Sequence, residues 1–251
     1  KDFLTRAQYL DIAENTKQIY SEANAFPHIS FDHIFPIELV HQASLEYPQH
    51  HLNEHLADGW GAWKSTSKQQ NLKYFLRDEE KMGPAVQKLV THLRSGIFVS
   101  FLEKLTGIPY LVTDPAMHGG GLHQIATGGH LSVHADFNRR ETDGLFRRVN
   151  VFIFLNENWL ESYGGQLELW DTNITKCEEK ISPLLGRLAM FSSSRLSYHG
   201  HPNPLNTPID IYRKSIAMYY YTVAPGPNDK ADDAYVTTDF RDRPDGLDDF
   251  K

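Results

Sequence analysis

The sequence predicts a mostly β fold with flanking α elements, an antiparallel sandwich or jelly roll supported by helices at its amino end. Three observations carry that expectation. Apolar residues over the first 110 positions are spaced for helices, short β-rich runs follow one another from Leu111, and turn residues separate those runs. With 251 residues and no internal repeat, one domain over 1–251 is expected. Within it, 1–110 read as largely helical support, 111–224 as the β core and 225–251 as an acidic tail.

Over residues 4–22, Leu4, Ala7, Leu10, Ile12, Ala13, Ile19 and Tyr20 recur close to helical spacing. Residues 28–35 alternate as a strand, and Pro36 stands where a first-turn proline opens a helix over 36–47. Residues 48–70 are polar and contain Gly, His and Ser, which predicts a long loop placed to act as a lid. Trp60, Trp63 and Tyr74 lie in or near it as candidates for a lid or an aromatic groove, with ordinary packing as the default. One or two helices are expected over 84–106, ended by Gly107 and Pro109. Strands are then expected at 121–126, 130–137, 147–156, 164–171, 186–192 and 213–222. Gly128-Gly129, Gly164-Gly165, Gly186 and the proline-rich 202–208 segment punctuate them. After Pro225 the chain is rich in Asp and weakly periodic, compatible with disorder or with a return over the sheet.

Composition narrows the function classes. A hydrophobic content of 40% and a charged content of 23% suit a soluble globular protein. A net charge of -7 argues against a nucleic-acid backbone as the main partner. No apolar run has bilayer-spanning length, so no membrane partner is expected, and the amino end lacks the apolar core of a signal peptide. Cys177 is the one cysteine, so neither an internal disulfide nor a thiolate metal cluster is expected. That suits a reducing, cytoplasmic setting in which Fe(II) survives. Oligomeric state has no signature here.

The chemistry concentrates in His134-Ala135-Asp136 and the later His199 and Arg213. His134 and Asp136 are two apart on an expected strand, so both point to one face. Two imidazoles and one carboxylate hold a first-row metal while leaving three positions open, the ligand set of non-haem Fe(II) oxygenases. Spacing alone leaves His199 and His201 both open as the second histidine. A lone histidine is more often hydrogen-bonded than ligating, and His-x-Asp by itself is a weak signal. Arg213 opens an expected strand with Ser215 on the same face, and a guanidinium plus a hydroxyl suits a carboxylate such as that of 2-oxoglutarate.

Residues 111–223 resemble the 2-oxoglutarate- and Fe(II)-dependent oxygenase superfamily, in its prolyl 4-hydroxylase-like branch. The resemblance rests on HLSVHADFN, RRVNVFIFLNENW, GGQLELWD, ISPLLGRLAMFS, SYHGHP and RKSIAMYYYT in that order, with FDHIFP in the helical leader. It implies a double-stranded β-helix with iron held by His134, Asp136 and His199, the last chosen because the family ligand opens a His-Gly step. It also implies that Arg213, helped by Ser215, binds the distal carboxylate of 2-oxoglutarate. O2 is the further cosubstrate and ascorbate a candidate reductant. The implied reaction is oxidation of an unactivated C–H bond, of a peptidyl proline or of a free amino acid or other small metabolite, releasing succinate and CO2.

Two departures stand out. Where relatives often carry tyrosines, this chain has His123, Gln124 and Ile125, and later Phe154. Gln124 and Asn150 are the candidates to replace the missing hydroxyls, Asn150 sharing a face with Phe152 and Phe154. A carboxylate at Asp136 favours hydroxylation over halogenation, while desaturation, epimerisation and ring closure would use the same ligands. Arg139, Arg140 and Trp170 are the candidates for substrate contact, weighed against a solvated turn for the arginines and packing for the tryptophan. The competing classes are a metal-dependent hydrolase, for which no HExxH helix exists, and a non-catalytic jelly-roll metal-binding module.

Overall fold

The computed structural model describes residues 2–51, 55–56, 59–62, 69–226 and 237–244. The amino half carries α1 (Arg6–Ser21), β1 (His28–Phe31), α2 (Ile37–Leu45), β2 (Trp60–Ala62), β3 (Gln70–Leu76), α3 (Pro84–Leu93) and α4 (Gly96–Thr106). Then come β4 (Val112–Thr113), β5 (Gly121–Ala135), β6 (Phe146–Phe154), β7 (Leu167–Trp170) and β8 (Cys177–Ile181). β9 (Leu188–Ser192), β10 (His199–His201), β11 (Arg213–Thr222) and β12 (Asp239–Phe240) complete the order.

Local chemistry sets the helix ends. Thr5 and Gln8 form a reciprocal capping box at the start of α1. Pro84 opens α3, and Ser95 caps α4 by accepting from the Phe98 amide at 3.3 Å. Gly107 closes α4 at φ +71°. Pro36 stands one position earlier than expected, at the cap of α2 rather than in its first turn.

The strands run in the order β1-β9-β6-β11-β5-β10-β7-β8, with β3 also on β5, β2 on β3, β4 on β11 and β12 on β5. Every pairing is antiparallel, which gives the jelly-roll architecture expected of the sequence. The two runs expected on either side of Gly128-Gly129 are one strand, β5, bent at Gly128 with φ +76°. Its first half pairs with β11 and its second half with β10 and β12, while β3 pairs on both sides of the bend. β3 and β8 have no counterpart among the expected strands. β2 and the first residue of β3 fall inside the segment read as a loop, the rest of which lies partly outside the described residues.

Strand alternation then sorts the side chains. Val149, Val151 and Ile153 of β6 and Ile216, Met218 and Tyr220 of β11 pack against the helices. Each such fully buried aliphatic side chain contributes roughly 1.5–3 kcal/mol. Phe152, Phe154, Ala189 and Phe191 face the other way, into the jelly roll with Leu167 and Leu169. Trp60 and Tyr74 belong to the helix-side core, so neither forms the suggested groove, and Trp63 lies outside the described residues.

One buried histidine ties the helices together. Phe3 stacks on His92 at 3.7 Å, and the ring is hydrogen-bonded to the Tyr9 hydroxyl at 2.9 Å. Burial pulls the His92 pKa from 6.5 down to about 4. As pH falls, the unfolded chain takes up this proton first. The contribution is therefore full above 6.5 and is lost as pH falls toward 4. In urea melts across that range, His92→Gln is expected to make the pH slope of stability shallower by about one proton.

Candidate metal centre and active site

The second half of β5 delivers two donors and β10 the third. His134 and His199 are cross-strand partners, and Asp136 follows at the end of β5. Gly200 lets the strands approach, since a Cβ there would lie 2.7 Å from the Leu131 carbonyl oxygen. His134 Nε2 lies 3.5 Å from Asp136 Oδ1, and His199 Nε2 lies 3.4 Å from Asp136 Oδ2. The three donor atoms all fall within 4.8 Å of one another, as atoms sharing one ion must.

Neighbouring groups fix the state of each donor. The Nδ1–H of His134 donates to the Ser132 carbonyl at 2.8 Å, and that of His199 to the Ser197 carbonyl at 2.9 Å. With Nδ1 so engaged, each ring turns its Nε2 to the centre, the arrangement of metal-bound imidazoles. Burial, with His134 next to it, takes the His199 pKa down to about 3, which keeps that ring neutral. Burial opposes ionisation of Asp136, and the Arg147 guanidinium beside it leads the opposing effects, so that the carboxyl is held well below the usual range. Arg147 Nη2 lies 2.8 Å from Asp136 Oδ2, and Asn150 Nδ2 donates to the same oxygen at 2.7 Å. Arg147 Nε in turn donates to Asn150 Oδ1 at 2.8 Å, closing a buried triangle. Two imidazole nitrogens and one ionised carboxylate, all oriented from behind, fit a divalent first-row metal.

These residues open onto a cavity of about 250 Å³. Arg213 and Ser215 of β11 line it, with Phe154 beneath the guanidinium at 5.0 Å. Arg213 is 5% exposed and donates from Nε to the Gly165 carbonyl at 2.7 Å. Among the described residues that Nε bond is the one hydrogen bond of the guanidinium, and the group lines the cavity, where its fork suits a carboxylate. Burial pulls its pKa to about 10, which still leaves the group charged at neutral pH. The arrangement fits a dicarboxylate whose other end reaches the metal.

The remaining sequence candidates fall elsewhere, each for a definite reason. Gln124 sits on the opposite face of β5 from His123 and Ile125, and its amide is bonded to the His50 backbone. Asn150 faces inward as its alternation requires, but its partner is Asp136 and not the cosubstrate space. Arg140 is buried between Asp114 at 2.8 Å and Asp143, with its guanidinium over Tyr221. Arg139 donates to the Gly144 carbonyl and covers Phe146. Trp170 lies on the outer face of its sheet with Val133, Ala135 and Tyr198, its indole N–H on Glu168. None of these five lines the cavity.

Two residues that do line it were not singled out for this end of the site: Lys73 of β3 and His201 of β10. The tail contributes as well. β12 pairs with β5 through Asp239 and Ala135, and Phe240 brings its ring 5.2 Å from that of His134. Thr238 and Phe240 both line the cavity, while residues 227–236 and 245–251 lie outside the described part.

Residues 120–221 match the family described as the 2OG-Fe(II) oxygenase superfamily. The matched stretch holds all three donors as well as Arg213 and Ser215. The family's cofactor set of Fe(II), 2-oxoglutarate and O2 accords with the donor triad and the buried guanidinium. Among solved structures, the chain is similar to a prolyl hydroxylase from Trichoplax adhaerens in complex with a hypoxia inducible factor peptide fragment. The two share 18% identity at a TM-score of 0.55, over 86% of this chain and 91% of that one. It is also similar to a Pseudomonas putida prolyl-4-hydroxylase, at 15% identity and a TM-score of 0.57, over 85% and 98%. HygX from Streptomyces hygroscopicus with nickel and 2-oxoglutarate bound gives 11% identity and 0.51, over 87% of each chain. At these identities the likeness is one of fold. No curated protein matches the chain in sequence.

If Asn150 orients the carboxylate, Asn150→Ala is expected to weaken Mn(II) or Ni(II) affinity by roughly 10–100-fold. Calorimetric titration measures this, and an unchanged affinity removes Asn150 from the support of Asp136.

Proposed function

We propose that the chain is a 2-oxoglutarate- and Fe(II)-dependent dioxygenase that hydroxylates an unactivated C–H bond. The observation that carries the reading is the convergence of His134, Asp136 and His199 in the same cavity as the buried Arg213. When bound, the metal with 2-oxoglutarate and O2 supplies the oxidising chemistry, releasing succinate and CO2. The chain's residues do the rest. Arg213 and Ser215 hold the far carboxylate, Arg147 and Asn150 keep Asp136 ionised and aimed, and Phe152, Phe154 and Leu167 keep water from the reacting centre. His134, Asp136 and His199 would hold the metal through three donors, a set that leaves coordination positions for cosubstrate and O2.

The substrate is read less finely: a peptidyl proline, or a free amino acid or other small metabolite. The Trichoplax neighbour supports the peptide reading, since it is a prolyl hydroxylase in complex with a peptide. Phe137, Tyr219 and Phe240 supply an aromatic wall near the metal on which an apolar ring or side chain can rest. A hydrolase would need a further group to activate water. Among the described lining residues Asp136 is the one carboxylate, and it is already committed to the donor set and to Arg147.

The test is succinate formation by iron-loaded protein across proline peptides, free amino acids and cell extract, with products identified by mass. Stimulation above the uncoupled rate identifies the substrate class. No succinate with any pool favours the non-catalytic module. Asp136→Ala is expected to abolish turnover. Arg213→Leu is expected to raise the 2-oxoglutarate KM by roughly 100-fold, because a carboxylate loses its charged partner. A wild-type KM in that variant would remove Arg213 from the account.

A further inference from the structure

One edge of the ligand strand β5 is filled by two segments in succession. β3 pairs with it as far as Leu131, and the Ser132 amide donates to the Gln69 carbonyl at 2.7 Å. From the next residue the tail takes over. The Arg241 amide donates to the Val133 carbonyl at 2.9 Å, and β12 sets Phe240 opposite His134 and Asp239 opposite Ala135. Cross-strand partners project to the same face, so Phe240 follows His134 into the cavity, with 5.2 Å between their rings. Thr238, two positions before it, lines the cavity as well.

The tail is also tied down beyond β12. Arg243 is 6% exposed and donates from Nη1 to Asn203 Oδ1 at 3.0 Å, in the segment that follows β10. A guanidinium leaves water only where its surroundings hold it. Phe240 is therefore carried on a stretch of chain fixed on both sides, by the β5 edge and by the Arg243 anchor.

Phe240 has a second neighbourhood. With Arg241, Asp242 and Pro244 it lines an outer groove of about 580 Å³, completed by Asn173, Ile174 and Thr175 of the β7–β8 turn. Among the described residues Phe240 is the only one common to the linings of this groove and of the metal cavity. The turn across the groove is held in a demanding shape. Ile174 sits at φ +56°, an outlier for a β-branched residue, and Asp171 Oδ1 accepts from the Thr175 and Lys176 amides, each at 2.7 Å. Such a backbone persists where its surroundings impose it, and here the Ile174 side chain packs with Val133, Ala135, Trp170 and Tyr198. Both banks of the groove are thus built on the strand that carries His134 and Asp136.

We infer that Phe240 is a specificity-determining residue, the partition that separates the metal cavity from the outer groove and limits what can stand beside the metal on that side. It favours a compact substrate with an apolar end, resting among Phe137, Tyr219 and Phe240, over one that runs on toward the β7–β8 turn. Arg243 is a positioning residue that acts through β12. The inference rests on the oxygenase reading and deepens it by naming what bounds the substrate there.

The experiment titrates the full chain, loaded with Co(II) and saturating 2-oxoglutarate, with imidazole and separately with 4-phenylimidazole. The visible Co(II) bands report ligation by either azole and need no turnover. In the wild type, imidazole is expected to bind at least about tenfold tighter than its phenyl derivative. Phe240→Ala is expected to tighten 4-phenylimidazole by roughly 10–100-fold while imidazole stays within about twofold. Phe240→Leu is expected to have a smaller effect in the same direction, and Arg243→Gln to tighten the phenyl derivative by about fivefold by releasing the tail. Retained imidazole binding shows that a variant is folded. Equal azole affinities in the wild type, an unchanged 4-phenylimidazole affinity in Phe240→Ala, or equal changes for both azoles overturns the partition. Exclusion of imidazole from the wild type overturns it too, because a nearer group would then set the limit. Co(II) bands that 2-oxoglutarate leaves unmoved in the wild type defeat the oxygenase reading itself, and the role of Phe240 in it.

Discussion

A buried carboxylate that must stay ionised is the constraint on which the centre depends. Asp136 lies where burial favours its neutral form, and a protonated acid is a poor metal ligand. Arg147 reverses that preference from 2.8 Å, itself only 2% exposed and laid over the Tyr219 ring at 3.4 Å. Removing one partner of such a pair typically costs about 3–5 kcal/mol, because the other charge stays buried and unanswered. Plain strand alternation would not allow the arrangement, since Arg147 and Asn150 are an odd number of residues apart. The β6–β11 register slips between Tyr220 and Tyr221, and that irregularity lets both side chains reach Asp136.

Much of the site was legible because strand alternation is a strict rule. It places His134 with Asp136 and Arg213 with Ser215, each pair on one face, and the structure brings all four to one cavity. The same rule applied to β5 puts His123 and Ile125 inside and Gln124 outside, so reading Gln124 as a replacement for a missing hydroxyl chose the wrong member of the triplet. Trp170 fails for the same reason: Leu167 and Leu169 point inward on β7, and Trp170 points out. Arg140 deceived differently, because a charged pair beside a ligand motif reads as a site mouth. Two acids distant or adjacent in sequence, Asp114 and Asp143, bury it instead.

What alternation could not show was where it breaks. Lys73 sits in a polar run, QQNLKY, that carries no strand signal of its own, and β3 exists because β5 offers it an edge. The bulge at Leu72 then sets which face Lys73 takes, and no local pattern encodes that choice. His201 was visible as a rival ligand, but spacing alone gave it no role once His199 filled the position. Its two unanswered nitrogens become apparent only when the fold removes water from around them.

The amino-terminal segment is therefore more than a support for the jelly roll. α1 to α4 cover the outer face of the sheet, but β3 crosses the bend of β5 and contributes an inner surface. The end of the cavity away from the metal is built by β3, β5, β10 and β11 together, from three widely separated stretches of chain. β12 closes the opposite side against the ligand strand, with Phe240 beside His134. Donor residues from the β core, a cavity end that includes β3 and a wall that includes β12 must come together before the cavity is complete. A ligand that fills this cavity touches all of these segments at once, so its affinity reports on the whole assembly and not on Arg213 alone.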